Sequence, residues 1–234
     1  MGKLLLFIFL LNSIVSASAQ EENIYFSEAI STHLQKYQEK ADKAYQKRNL
    51  ERADFLFDSL VNNHLKGSYL DNFQVMDLNR KKVFLDEFSR PLFLITYASW
   101  LTPSEGEIPA LNELAKEFEG QVDFVILLWD KFETAKELAK RYDPAIKILY
   151  VDELQNQSSY VVKTMKHSLG FPTSFLLSPE KQILDIRRGV SHAYGIDFKK
   201  SFDLNYDSFS EGISLLLIKE STHGSQTASA GLQP

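Results

Sequence analysis

The stretch Leu92-Phe93-Leu94-Ile95-Thr96-Tyr97-Ala98-Ser99-Trp100-Leu101-Thr102-Pro103-Ser104 decides the fold. Its first seven residues are an apolar run broken only by Thr96, the pattern of a strand covered on both faces. The run ends in a Trp and a proline-containing turn. From Ser104 to Phe118 the period becomes helical, with Ile108, Leu111, Leu114, Ala115 and Phe118 on one face. Val122 to Trp129 is a second continuous apolar run. Strand, helix, strand in this order predicts a sheet covered by helices.

Working towards the C-terminus, Phe132 to Tyr142 and Ser159 to His167 read as helices and Ile146 to Val151 as a strand. Thr173 to Leu177 and Ile183 to Val190 read as a hairpin around Ser178-Pro179-Glu180-Lys181. Ile213, Leu216 and Leu217 fall on a last helix. Towards the N-terminus, Phe73 to Leu78 and Val83 to Leu85 flank a polar turn at Asn79 to Lys82. Before them, Ser27 to Leu65 carries two helical stripes. Ile30, Leu34, Tyr37, Ala41 and Tyr45 form the first, and Ala53, Leu56, Phe57, Leu60, Val61 and Leu65 the second. Lys47-Arg48-Asn49 is the expected turn between them, and Gly67 the expected left-handed residue after them. Lys3, the apolar run Leu4 to Leu11 and the small residues Ala17-Ser18-Ala19 have the three-part form of a secretory signal peptide. The run is interrupted by Asn12 and is shorter than the roughly 20 apolar residues of a spanning helix. The expected divisions are a signal peptide over 1–19, a helical hairpin over 20–66, an α/β domain over 67–220 and a disordered tail over 221–234. The mature chain is expected to be exported, periplasmic or extracellular, without stable membrane insertion.

Composition removes several functions. Of 234 residues, 44% are hydrophobic and 24% charged, which suits a globular core. The formal charge of -5 opposes the phosphate attraction that supplies most non-specific nucleic-acid affinity, so no nucleic-acid partner is expected. The five histidines show no metal-ligand spacing, and neither a G-x-S-x-G elbow nor a glycine-rich phosphate loop occurs. No metal and no cofactor are expected. The pair Arg187-Arg188 and the cluster Arg80-Lys81-Lys82 read as solvated surface. The chain has no cysteine, which excludes disulfides and thiol catalysis by this chain alone.

From about Leu70 to Val190 the sequence resembles thioredoxin-fold proteins, and most of all the exported TlpA/ResA-type thiol-disulfide oxidoreductases. Leu92 to Trp100 resembles their strand ending in Trp before the active-site cysteine pair. Glu107-Ile108-Pro109 with Ala110-Leu111-Asn112-Glu113-Leu114 resembles their first helix and its kinking proline. Gly170-Phe171-Pro172-Thr173-Ser174-Phe175-Leu176-Leu177 resembles the loop whose cis proline faces the dithiol. The resemblance implies an α/β fold, a thioredoxin-like central mixed sheet flanked by helices, preceded by the N-terminal helical hairpin. It also shows what is missing. Leu101-Thr102-Pro103-Ser104 stands where the family has Cys-x-x-Cys, and neither leucine nor a serine hydroxyl can replace an attacking thiolate. Ile95 stands where many thioredoxins bury an acid, and Glu107 matches an acidic residue near the dithiol of this branch.

Two functions follow as expectations. In the first the chain is redox-inactive and not an enzyme. It binds a protein or peptide partner of the cell envelope through a groove formed by Trp100, Leu101, Thr102, Pro103 and Ser104 facing Phe171, Pro172 and Thr173. Trp100 serves as an aromatic anchor, and the backbone beside Thr173 pairs with an extended peptide. In the second the chain is a redoxin-family member with partner-assisted or non-thiol chemistry, and Glu107 is the candidate catalytic residue. The competing account of Ser104-Glu105-Gly106-Glu107 is a capping box, with the Ser104 hydroxyl and the Glu107 carboxylate closing the helix N-terminus.

Overall fold

The computed structural model describes residues 23–155, 161–190 and 195–230. The expected signal peptide, the first two residues of the expected helix at 159–167, His192 and residues 231–234 lie outside these. In chain order the elements are α1 (Phe26–Gln46), α2 (Leu50–Leu60), β1 (Gln74–Asp77), β2 (Lys82–Phe84), β3 (Leu92–Tyr97), α3 (Glu107–Glu117), β4 (Asp123–Leu128), α4 (Phe132–Ala139), β5 (Ile146–Tyr150), β6 (Thr173–Leu177), β7 (Ile183–Arg188) and α5 (Phe198–Ala230). Short π-helical turns cover Val61–Leu65 and Val161–Lys166, and a 3-10 turn covers Leu85–Glu87.

The strands form one seven-stranded sheet in the order β2-β1-β5-β4-β3-β6-β7. β3 is parallel to β4 from Leu92↔Asp123 to Tyr97↔Leu128 and antiparallel to β6 from Leu92↔Leu177 to Thr96↔Thr173. With hydrogen-bonded neighbours on both edges and all six residues buried, β3 is apolar except at Thr96, whose hydroxyl is hydrogen-bonded to the Thr173 backbone.

Side chains alternate across a strand, so β3 feeds two cores. Leu92 and Leu94 join Val125, Leu127, Phe175 and Ile186 on one face, under Phe26, Ile30, Phe57 and Leu60 of the helical hairpin. Phe93, Ile95 and Tyr97 join Phe124, Ile126 and Leu176 on the other, under Leu111 and Leu114 of α3 and Phe209 and Ile213 of α5. The N-terminal hairpin is therefore the cover of one sheet face. Its turn lies where expected: Asn49 caps α2 by accepting the Arg52 N–H at 2.9 Å, Arg48 is left-handed at φ 54°, and Gly67 follows at φ 87°.

Three details differ from the sequence reading. The third helix begins at Glu107 rather than Ser104, with Gly106 as N-cap and no side-chain capping bond, so the expected capping box is absent. The groups that satisfy this terminus come from α5. Ser201 Oγ accepts the Gly106 N–H at 3.0 Å, and Asn205 Nδ2 donates to Ser104 Oγ at 3.0 Å. A Cβ on Gly106 would overlap the Phe202 backbone, so only glycine allows this approach. Pro109 is the third residue of α3, in the turn whose N–H groups lack helical acceptors, and so removes no helical hydrogen bond where a mid-helix kink was expected. Finally, α5 continues to Ala230 through residues read as a tail from composition, because extending an existing helix needs no new nucleation.

Phe26 is fully buried and meets Phe175 edge to face at 5.6 Å. Phe26→Ala is expected to cost about 3–5 kcal/mol in urea denaturation while leaving a single transition. A separate early transition for the hairpin would contradict its role as a core layer.

Candidate functional site

The site forms where β3 and β7 end and β6 begins. Thr96 Oγ1, at the end of β3, donates to the Thr173 carbonyl at 3.1 Å and accepts the Thr173 N–H at 3.3 Å. This fixes the loop before β6 beside the chain leaving β3. The Phe171–Pro172 peptide in that loop is cis. On the β3 side, the Ser99 N–H donates to Asp130 Oδ2 at 2.8 Å, and the Ser99 hydroxyl donates to the same carboxylate. That bond ties the exit of β3 to the exit of β4. Between these anchors lies a cavity of about 500 Å³.

The cavity brings together most of the expected residues. Leu101, Thr102, Ser104 and Glu107 line one side, and Phe171 and Pro172 another. Trp100 stands at the rim, 69% exposed, with its ring 6.1 Å from Phe171, which in turn lies 5.1 Å from the buried Trp129. Pro103 and Thr173 are not part of the lining. Thr173 is 1% exposed, pairs with Thr96 on one side and Arg188 on the other, and donates its hydroxyl to the Gly170 carbonyl. Its backbone is committed on both edges, so peptide pairing at Thr173 itself is not available. The open part of the loop is Gly170 to Pro172.

Other lining residues were not anticipated: Tyr45 from α1, the buried Tyr97, Leu169 and Arg188. Arg188, read from sequence as solvated surface, is half-buried. Its Nη2 donates to the Tyr37 hydroxyl at 2.7 Å and its Nη1 to the Tyr45 hydroxyl at 2.8 Å. Its guanidinium lies 4.2 Å from the Phe57 ring centre, in cation–π geometry. The sequence signal was Tyr37 on an otherwise apolar stripe, since a buried phenol needs a partner that aliphatic neighbours cannot supply.

The electrostatics have two poles. Burial raises the Tyr97 hydroxyl well above its usual range, and the nearby Glu107 charge raises it further. Tyr142 is pushed up to about 12, again by burial first and Glu107 second. Burial also raises Tyr37, but Arg188 pulls it down. All three phenols stay protonated near neutral pH, as donors rather than bases. Among the described residues no group of three or more His, Asp or Glu side chains is placed to share a metal ion.

A family model described as AhpC/TSA family matches residues 67–207, a span that contains the whole sheet and leaves the helical hairpin outside. A thiol-disulfide oxidoreductase ResA of Bacillus thuringiensis subsp. konkukian is 29% identical over 126 residues, 53% of this chain and 69% of the relative. One from Bacillus cereus is 30% identical over 123 residues, 51% of this chain and 67% of the relative. The crystal structure of a hypothetical protein from Sinorhizobium meliloti aligns at a TM-score of 0.53 and 16% identity, covering 68% of this chain and 87% of the other, which shows a shared fold.

The chain has two tryptophans, one at the cavity rim and one in the core. Acrylamide quenching is expected to resolve two components, with Trp100→Phe removing the accessible one and leaving a blue-shifted, poorly quenched emission. Uniform quenching of both would contradict this placement.

Proposed function

The chain belongs to the AhpC/TSA family, a thioredoxin-fold member homologous to ResA thiol-disulfide oxidoreductases, and on that premise we propose that it is a redox-inactive binding module. One observation carries this reading. The chain contains no cysteine, yet the turn at Leu101 to Ser104 and the Phe171–Pro172 loop still enclose one cavity. A thiolate attacks a disulfide and must be regenerated. Leu101 offers an aliphatic surface instead, and an aliphatic wall rewards contact by removing apolar area from water.

The proposed ligand is an extended polypeptide of a cell-envelope partner. The loop Gly170 to Pro172 supplies backbone groups, Leu101 and Phe171 supply apolar contact, and Trp100 stands exposed at the rim as an anchor. Export is part of the same proposal. It rests on Lys3, the apolar run Leu4 to Leu11 and the Ala17-Ser18-Ala19 site. Among the described residues no helix is long and apolar enough to cross a membrane.

Non-thiol chemistry at Glu107 is the second reading, since its carboxylate lines the same cavity. The hydroxyls whose titration it affects, Tyr97 and Tyr142, are held protonated, which disfavours a base among them. Partner-supplied thiols would require a cysteine-bearing protein at the rim.

With dithiothreitol as reductant, insulin reduction is expected to proceed at the uncatalysed rate in the presence of this protein; acceleration without an added thiol protein would overturn the inactive reading. Leu101→Arg places a charge in the apolar wall. It should weaken anisotropy-detected binding of a fluorescein-labelled unfolded polypeptide by about tenfold or more, whereas Lys82→Gln on the remote, exposed β2 should leave it unchanged. Equal binding by both variants would remove the groove from the account.

A further inference from the structure

The contrast between two adjacent arginines points to a ligand group. Arg187 meets carboxylates, with Nε 2.9 Å from Asp185 and Nη1 3.4 Å from Glu211. Arg188 lines the cavity, and its described hydrogen-bond partners are all neutral: the Tyr37 and Tyr45 hydroxyls and, at 3.5 Å, the Leu169 carbonyl. An arginine has five N–H donors, so these bonds leave donors over. A half-buried guanidinium has lost part of its hydration, and neutral hydroxyls return less than a carboxylate would.

The surroundings hold this cation in place. Phe57 stacks beneath it, and the two tyrosines fix its fork, so binding an anion would cost little side-chain freedom. Tyr37, Tyr45 and Phe57 all belong to the helical hairpin, outside the family match at 67–207. Glu107 also lines the cavity, and its charge acts on Tyr97 and Tyr142, whereas Arg188 acts on Tyr37. A negative group is thus accommodated at the hairpin end and disfavoured at the α3 end. Between the poles Leu101, Leu169, Phe171 and Pro172 offer an apolar surface.

Resting on the reading of this cavity as a polypeptide groove, we infer that Arg188, held by the N-terminal hairpin, anchors a carboxylate of the bound peptide. The carboxylate is either a chain terminus or an acidic side chain, and both offer the planar pair of oxygens that a guanidinium binds.

The test uses the full mature chain and short fluorescein-labelled leucine- and serine-rich peptides in four forms: acid-free with a free C-terminus, acid-free and amidated, amidated with one aspartate, and amidated with asparagine in its place. At least one carboxylate form should bind about tenfold or more tighter than its uncharged counterpart, as expected for a hydrogen bond to a charged group. A gain confined to the free terminus or to aspartate identifies the source. Arg188→Gln should bring that ratio to about one while leaving the acid-free amide bound, and Tyr37→Phe with Tyr45→Phe should lower it with the charge retained. Equal binding of all four peptides to the wild type overturns the carboxylate anchor and leaves the groove standing. Binding of none overturns the groove reading, and the anchor with it. The wild-type ratio decides the matter even if Arg188→Gln fails to fold.

Discussion

The pairing of β3 with β6, closed at its end by the reciprocal hydrogen bonds of Thr96 and Thr173, is the constraint on which the site depends. β3 delivers the Leu101 to Ser104 turn and β6 receives the chain from Phe171 and Pro172. Their antiparallel register therefore sets these two segments side by side whatever side chains they carry. The cavity is a product of backbone topology, and the chain keeps the enclosure although it has no cysteine to supply a thiolate there. That separation of scaffold from reaction is why family membership alone does not give the activity of this chain.

Two elements outside the strand ends support the site. On one face, α5 reaches the start of α3, where Ser201 and Asn205 occupy the polar groups of Gly106 and Ser104. On the other, the helical hairpin buries the sheet face with Phe26, Ile30 and Phe57 and extends Tyr37 and Tyr45 to Arg188. The hairpin thus acts at two levels. It supplies apolar burial on the order of 1.5–3 kcal/mol for each large side chain removed from water, and it supplies a cavity wall.

The strands were legible in sequence because β3 and β4 lie at the centre of the sheet, where continuous apolar runs are required on both faces. The hairpin was legible for a similar reason, since its stripes and the Asn49 cap are local signals. What was hidden depended on distant partners. Ser104-Glu105-Gly106-Glu107 has the local form of a capping box, but Ser104 meets Asn205, 101 positions away. Arg188 at a strand end looks like ordinary solvated surface until tyrosines 143 and 151 positions earlier are folded against it. Thr173 was placed in the groove by the loop motif, yet its position inside the sheet commits its backbone and buries its side chain.

Under the proposed function, the cavity between Leu101 and Arg188 holds a chain without making or breaking a bond. Amide chemical-shift mapping of the isotopically labelled protein, titrated with an acid-bearing extended peptide, reads this directly. Shifts that saturate with the peptide, concentrated at Leu101, Thr102, Gly170, Phe171, Arg188 and Gly189 with the peptide recovered unaltered, are the predicted result. Saturating shifts confined to the outer surface of the hairpin, or a chemically changed peptide, would contradict it.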